Sequence, residues 1–344
     1  MYEAFYGLTK KPFQLSPDPE FFYNSAVHKR ALAYLRYGLA QGEGFIVVTG
    51  APGTGKTILA KELFENIRNE NVVAGMMVSS QVGAEDTLRI IAAAFGLSYD
   101  AYAKAILLKN LENFFKAKAM EGKRVLLVVD EAQNLPQQSL EELRMLLNFE
   151  SGGRPAFQIF MLGQDELRSI LQADDMEQVR QRITATYHLR PLDREETKEY
   201  VVHRLTTAGW SNDPGFSQEA FDEIYRFAGG TPRIINSLCD RLMLYGFLEE
   251  LHYFDANATK VVINEIEQDT SCIRREKKEE VDMIKEEIPA YKNPSPGLQG
   301  DIEERLIVIE TQIKHIQQDL RKERALLRKA ILINLDMSDV YNDD

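Results

Sequence analysis

Gly50-Ala51-Pro52-Gly53-Thr54-Gly55-Lys56-Thr57 follows the apolar run Phe45–Thr49 and leads into Ile58-Leu59-Ala60-Lys61-Glu62-Leu63. Glycines at 50, 53 and 55 let the backbone curl until successive N–H groups point at one anion. A helix opening near Lys56 adds the positive end of its dipole. Lys56 has the length to reach the β- and γ-phosphates of a nucleotide, and the Thr57 hydroxyl is placed to ligate Mg²⁺. The strand before and the helix after are the context this loop requires. The residues expected to hold ATP are therefore Gly50, Ala51, Pro52, Gly53, Thr54, Gly55, Lys56, Thr57 and Ile58.

Outward from this loop, short apolar runs alternate with stretches of helical length. FIVVTG (45–50), VVAGMMVSS (72–80), RVLLVVD (124–130) and FQIFMLG (157–163) read as buried strands, with a fifth at 186–190. Near-continuous apolar runs suit a parallel sheet covered on both faces. Helices are expected over 57–69, 84–95, 104–121 and 137–149, so the fold class is an α/β P-loop NTPase with a doubly wound parallel sheet. After Pro191 the period becomes helical throughout. Asp193 and Ser217 are the expected N-caps, and Gly209 and Gly229 the stops, of a small all-helical lid with a fourth helix near 256–268.

Three further elements complete a hydrolytic site. Asp130 ends the 124–130 strand, where it would hold Mg²⁺ together with Thr57, and Glu131 follows, able to orient or deprotonate an attacking water. Gln164, at the tip of the next strand, would lie between the two phosphate elements and sense the γ-phosphate. Arg233 opens a Pro-initiated helix in the sequence Gly-Gly-Thr-Pro-Arg and would reach the γ-phosphate in cis. Before the fifth strand stand Arg180 and Arg182. Either suits a finger that enters a neighbouring subunit's site, with Arg182 taken first.

The tail changes character. Residues 270–300 are densely charged and then rich in Pro and Gly, which reads as a flexible linker. Within 301–334, Ile302, Leu306, Ile309, Ile313, Ile316 and Leu320 recur at alternating intervals of four and three. That is a heptad stripe, suited either to self-association or partner docking, or to packing against the chain's own core.

The 344 residues are 44% hydrophobic and 27% charged, with net charge −12 and two cysteines, Cys239 and Cys272. This gives no strong nucleic-acid signal, although a local basic patch can survive the average. A disulfide framework and a zinc site are both disfavoured. The N-terminus has no apolar h-region, and no run is long enough to span a membrane, so a cytoplasmic protein is expected, peripheral at most to the inner face of the inner membrane.

With these residues in hand, the chain resembles an AAA+ ATPase of the ExeA/GspA secretion type. The resemblance rests on Phe5, Gly7, Lys11-Pro12-Phe13, Ser16-Pro17-Asp18-Pro19, His28–Leu35, Asp130–Leu135, Leu162-Gly163-Gln164 and His188–Leu192, and covers about residues 1–268. Gly38–Gly50 is similar to the corresponding stretch of ATPases associated with XrtA/PEP-CTERM (exosortase) sorting and exopolysaccharide loci. The resemblance implies bacterial origin, Mg²⁺-ATP hydrolysis, oligomers with sites between subunits, and service to an envelope export machine. It also puts Phe21-Phe22-Tyr23 and His28 where an adenine-contacting box sits, with aromatic core packing as the alternative.

The expected organisation is an N-terminal segment packing on the ATPase core (1–43), the α/β domain (44–191), the helical lid (192–269), the linker (270–300) and the amphipathic or coiled-coil helix (301–334). No membrane helix or peptidoglycan-binding domain is expected after the ATPase region. That departure from the ExeA pattern favours recruitment to a membrane complex through 301–334. Two other function classes compete: an ATP-dependent DNA-binding regulator resembling transposition ATPases, and a scaffold ordered by nucleotide without turnover.

Overall fold

The strand that feeds the glycine loop, Phe45–Gly50 (β1), is buried at every residue. In the computed structural model it pairs in parallel with Phe157–Gly163 (β4) on one side and Ile183–Leu189 (β5) on the other. Val72–Val78 (β2) and Arg124–Asp130 (β3) complete a five-stranded parallel sheet in the order β2-β3-β4-β1-β5. The doubly wound sheet expected from the alternation is the one observed. Described residues are 1–269 without 17, 68–69, 79–82 and 100–102, so the linker and heptad helix expected over 270–334 lie outside them.

Side chains alternate across each strand, so the sheet feeds two cores. Phe45, Val47, Leu127, Val129, Ile159 and Met161 face the helices Ala84–Ala94 (α3), Lys104–Met120 (α4), Gln137–Leu146 (α5) and Asp165–Gln172 (α6). There Phe115 stacks on Phe157 with ring centroids 4.3 Å apart. Ile46, Val48, Leu126, Val128, Phe160 and Leu162 face Ala26–Gln41 (α1) and Lys56–Ile67 (α2). Each large apolar side chain buried this way contributes roughly 1.5–3 kcal/mol. Strand β5 begins three residues earlier than expected because its exposed residues, Thr184 and Thr186, interrupt the apolar run that would have marked it.

Beyond the sheet lie Arg194–Thr207 (α7), Gln218–Ala228 (α8), Pro232–Leu248 (α9) and a helix over 256–269. Asp193 and Glu196 form a reciprocal capping box at α7, Ser217 caps α8, and Gly229 ends α8 in the left-handed conformation. This part is not wholly helical. Gly215–Phe216 and Tyr253–Phe254 pair as two short parallel strands.

The N-terminal segment, expected to pack on the ATPase core, is shared between two clusters. Tyr2, Tyr6, Leu8, Phe13 and Phe21 are buried in the cluster built by α7, α8 and α9, whereas α1 packs on the sheet. The reason is chemical. The tyrosine hydroxyls find partners on the helical part, Tyr2 donating to Asp240 at 2.6 Å and Tyr6 to the Leu251 carbonyl at 2.9 Å. The α1 interior face, by contrast, is aliphatic from Ala31 to Leu39, with His28 buried one turn earlier, and it packs on the sheet.

Candidate nucleotide site

The parallel sheet delivers the C-terminal ends of β1, β3 and β4 to one edge, and the strand order puts β4 between the other two. At the tip of β1, Gly53 and Gly55 adopt φ of +81° and +101°. A Cβ on Gly53 would stand 2.6 Å from Arg233 Cβ, and one on Gly55 2.8 Å from His28 Nε2, so the loop needs glycine for conformation and for space. Lys56 Nζ donates to the Gly50 and Ala51 carbonyls at 2.8 and 3.0 Å. Burial pulls its ammonium below the ordinary lysine range, against the carboxylates of Glu131, Asp130, Asp165 and Glu166, which favour the charged form.

Thr57 Oγ1 donates to Asp130 Oδ2 at 2.6 Å, which joins the glycine loop to the β3 tip. The hydroxyl and carboxylate are hard oxygen donors in contact, the set a Mg²⁺ ion takes. Glu131, one residue on, is held in the left-handed region with φ 54° and ψ 40°, a conformation that costs a non-glycine residue roughly 1 kcal/mol. The turn aims its carboxylate back at the site. Glu131 Oε2 accepts from Gln133 Nε2 at 2.6 Å and from Gln164 Nε2 at 3.1 Å, and Gln133 Oε1 in turn accepts from the Gln164 backbone N–H at 3.0 Å. Burial raises the Glu131 pKa, but the two amide donors and the Lys56 charge outweigh it and hold the group below the usual carboxylate range.

His28, on α1, braces the loop from behind. Its Nε2 lies 3.2 Å from the Thr54 carbonyl and its Nδ1 2.8 Å from Ser25 Oγ. Burial pushes its pKa down to about 4, with the Thr54 hydrogen bond partly opposing, so the ring is neutral at pH 7. Nε2 then carries the hydrogen donated to Thr54, and Nδ1 accepts from Ser25.

A cavity of about 340 Å³ opens in front of these groups. Its lining mixes polar groups, among them Lys56, Thr57, Glu131 and Arg233, with apolar and aromatic ones, among them Phe22, Tyr23, Ile58 and Leu192. The size and the mixed lining suit a nucleotide. Phe21, Phe22, Tyr23 and His28 of the expected aromatic box all line the cavity, and Phe21 is in addition buried in the helical cluster. The Arg233 backbone N–H donates to the Gly53 carbonyl at 3.2 Å, so α9 starts against the glycine loop.

The two candidate finger arginines separate. Arg180 Nη1 reaches the Leu171, Gln172 and Ala173 carbonyls at 3.3, 3.3 and 3.4 Å, the role of a cation at a helix C-terminus. Arg182 is exposed, with Nη2 donating to Asn148 Oδ1 at 2.8 Å. Its carbonyl accepts from Phe45 N–H, at the far end of β1 from Gly50. Five strand steps, roughly 17 Å, separate it from its own phosphate loop, so its guanidinium does not serve that site in cis.

Sequence reasoning did not assign Gln133, Tyr200, Arg204 or Asn236 to the site. Gln133 becomes relevant only because Glu131 turns left-handed. Arg204 is a buried cation satisfied by the Pro12 and Gln14 carbonyls and the Tyr200 hydroxyl, lying 4.9 Å over the Phe21 ring. Its one signal was an arginine on the buried face of an amphipathic helix, next to Tyr200 one turn away.

The fold is the P-loop AAA fold, with a candidate nucleotide site at its strand ends. A family model described as an AAA domain matches residues 39–171. The chain is similar to General secretion pathway protein A of Aeromonas hydrophila, 39% identical over 253 residues that make up 73% of this chain and 46% of that protein. It is also similar to the ATP-dependent target DNA activator B of Escherichia phage Mu, 30% identical over 130 residues, 38% of this chain and 39% of that one. The chain thus spans less than half the length of the curated relatives it matches. Among solved structures, the Aeropyrum pernix ORC2 protein superposes with a TM-score of 0.58 at 14% identity, covering 74% of this chain and 71% of that one. Cdc6p from Pyrobaculum aerophilum gives 0.56 at 15%, covering 69% and 68%. These two likenesses concern the fold alone. Among the described residues no helix is long and apolar enough to cross a membrane.

Proposed function

We propose that this chain is a Mg²⁺-dependent ATPase that energises or regulates a bacterial envelope export machine of the exopolysaccharide or PEP-CTERM sorting kind. The observation that carries the hydrolytic part is the Glu131 carboxylate, deprotonated and aimed by Gln133 and Gln164 beside the Thr57–Asp130 pair. The export part is supported by the 39% identity to General secretion pathway protein A.

The loop amides of 53–57 and Lys56 bind the phosphates, and Lys56 exchanges its two carbonyl partners for phosphate oxygens. Thr57 and Asp130 would hold Mg²⁺, which when bound neutralises charge on the β- and γ-phosphates. Glu131 orients the attacking water and takes its proton. Gln164 holds Glu131 in place and senses the γ-phosphate. Arg233 stabilises charge in cis, and Arg182 enters a neighbour's site in an oligomer. The 301–334 helix docks the enzyme on membrane-associated machinery from the cytoplasmic face.

The test is phosphate release with Mg²⁺-ATP, paired with export in cells carrying Lys56→Ala. Loss of both is expected. Export that persists in Lys56→Ala cells would leave only a scaffold role, and a purified protein inert with ATP would remove the enzyme. A second reading, an ATP-dependent DNA-binding regulator, is favoured by the similarity to activator B. ATP-dependent retention of duplex DNA that weakens steeply with salt is its signature.

A further inference from the structure

Helix α1 carries Lys29, Arg30 and Arg36 and no carboxylate, in a chain where acids outnumber bases 53 to 41. All three cations are exposed, with Ala33, Tyr34 and Tyr37 between them on the outward face. The neighbouring strand β5 adds Tyr187, and the residue after it is Arg190. Tyr34 and Tyr187 lie 5.2 Å apart, and Arg30 and Arg190 both act electrostatically on the Tyr187 phenol. Several exposed cations elsewhere take acidic partners: Lys116 pairs with Glu112, Arg194 with Asp222, Arg241 with Asp269. Among the described residues, Lys29, Arg30, Arg36 and Arg190 make no ion pair. Glu196, which acts on Tyr187 as well, is already occupied by the backbone amides of Ala26 and Asp193.

We infer that this face, α1 together with the β5 edge, is a docking surface for an extended segment of a partner protein bearing two or more carboxylates. Three observations select that occupant. The patch is short and bounded: Lys29 to Tyr37 spans about 12 Å, with Glu43 and Glu196 at its ends. A continuous polyanion would run past the patch into an acidic surface, whereas a few side-chain carboxylates end with it. Next, the exposed face has no Leu, Ile, Phe or Trp to enter a bilayer, which disfavours a lipid surface. Finally, β5 is a sheet edge, paired only with β1 among the described residues, so it offers backbone groups to an added strand. The protein itself displays the chemistry, since Tyr2 donates to Asp240 at 2.6 Å and Tyr23 to Glu199. Arginine forks and phenols bind carboxylates directly, and the Debye length of about 8 Å isolates the patch from the net negative charge.

The proposal is independent of what hydrolysis drives, and ATPase activity is measured alongside so that the two fail separately. Anisotropy of a fluorescein-labelled Ser-Glu-Ser-Glu-Ser peptide, titrated with the full chain at about 0.15 M salt and saturating Mg²⁺-ATP, reads binding. Arg30→Glu with Arg36→Glu should weaken it about tenfold or more, and Lys109→Glu with Lys118→Glu, an equal charge change on α4, should leave it within about twofold. Tyr37→Phe should cost about threefold to tenfold by deleting the phenol donor. All variants should hydrolyse ATP like the parent. Equal losses from the α4 control, or no saturable peptide binding, would overturn the proposal. So would tighter binding of a labelled dT20 strand that depends on Arg30 and Arg36 but tolerates Tyr37→Phe, which is base stacking on a nucleic-acid site. Patch-dependent binding to phosphatidylserine vesicles would overturn it as well.

Discussion

Replacing His28 with glutamine isolates the cost of burying an imidazole behind the phosphate loop. The introduced amide keeps a donor for the Thr54 carbonyl and does not titrate. In the folded protein His28 has a pKa of about 4, against 6.5 for the free ring. The folded value lies below the unfolded one, so the unfolded chain takes up the proton first. The stability is fully present above pH 6.5 and is lost as pH falls through 6.5 toward 4. At pH 5 the difference in protonation amounts to about 2 kcal/mol, rising to about 3 kcal/mol below pH 4. Urea unfolding followed by far-ultraviolet circular dichroism at pH 7.5 and pH 5 should show the parent losing about 2 kcal/mol more than His28→Gln between the two conditions. Parallel losses in both proteins would mean that His28 is not held neutral, and the bracing argument would fall.

Glu131→Gln should bind ATP as tightly as the parent while turnover drops by about 10²-fold or more, read by phosphate release against fluorescent-nucleotide binding. Gly53→Ala should lower both Tm and nucleotide affinity, because its φ of +81° is strained for alanine and its new Cβ meets Arg233 at 2.6 Å; differential scanning fluorimetry with and without ATP checks both. Arg182→Ala should keep single-chain nucleotide affinity but lose hydrolysis, and mixing it with Lys56→Ala subunits should restore part of the rate. No recovery on mixing would count against a finger acting in trans.

Much of this site was legible because its chemistry is local. The glycine loop, Asp130, Glu131 and Gln164 each sit at the end of an apolar run, and a parallel sheet must bring such ends together. Gln133 was not legible, since its role depends on one left-handed residue that no side-chain pattern marks. Arg180 and Arg182 looked alike until the C-terminus of α6 claimed the first. The N-terminal aromatics were read as one segment because hydrophobicity alone does not say which of two cores a tyrosine joins. Its hydroxyl's distant partner decides that.

The bond from Tyr2 to Asp240 links residues 238 apart, and that from Tyr6 to Leu251 links residues 245 apart. Phe22 and Tyr23, which follow, form a wall of the nucleotide cavity. A ribosome adding 5–20 residues per second makes Asp240 roughly 10–50 s after Tyr2. Late in that interval, once β5 is made, the glycine loop has its sheet partners while Arg233 and Asn236 of the cavity lining are still missing. The cavity is thus lined from both ends of the chain, and it closes only once the helical end has left the tunnel.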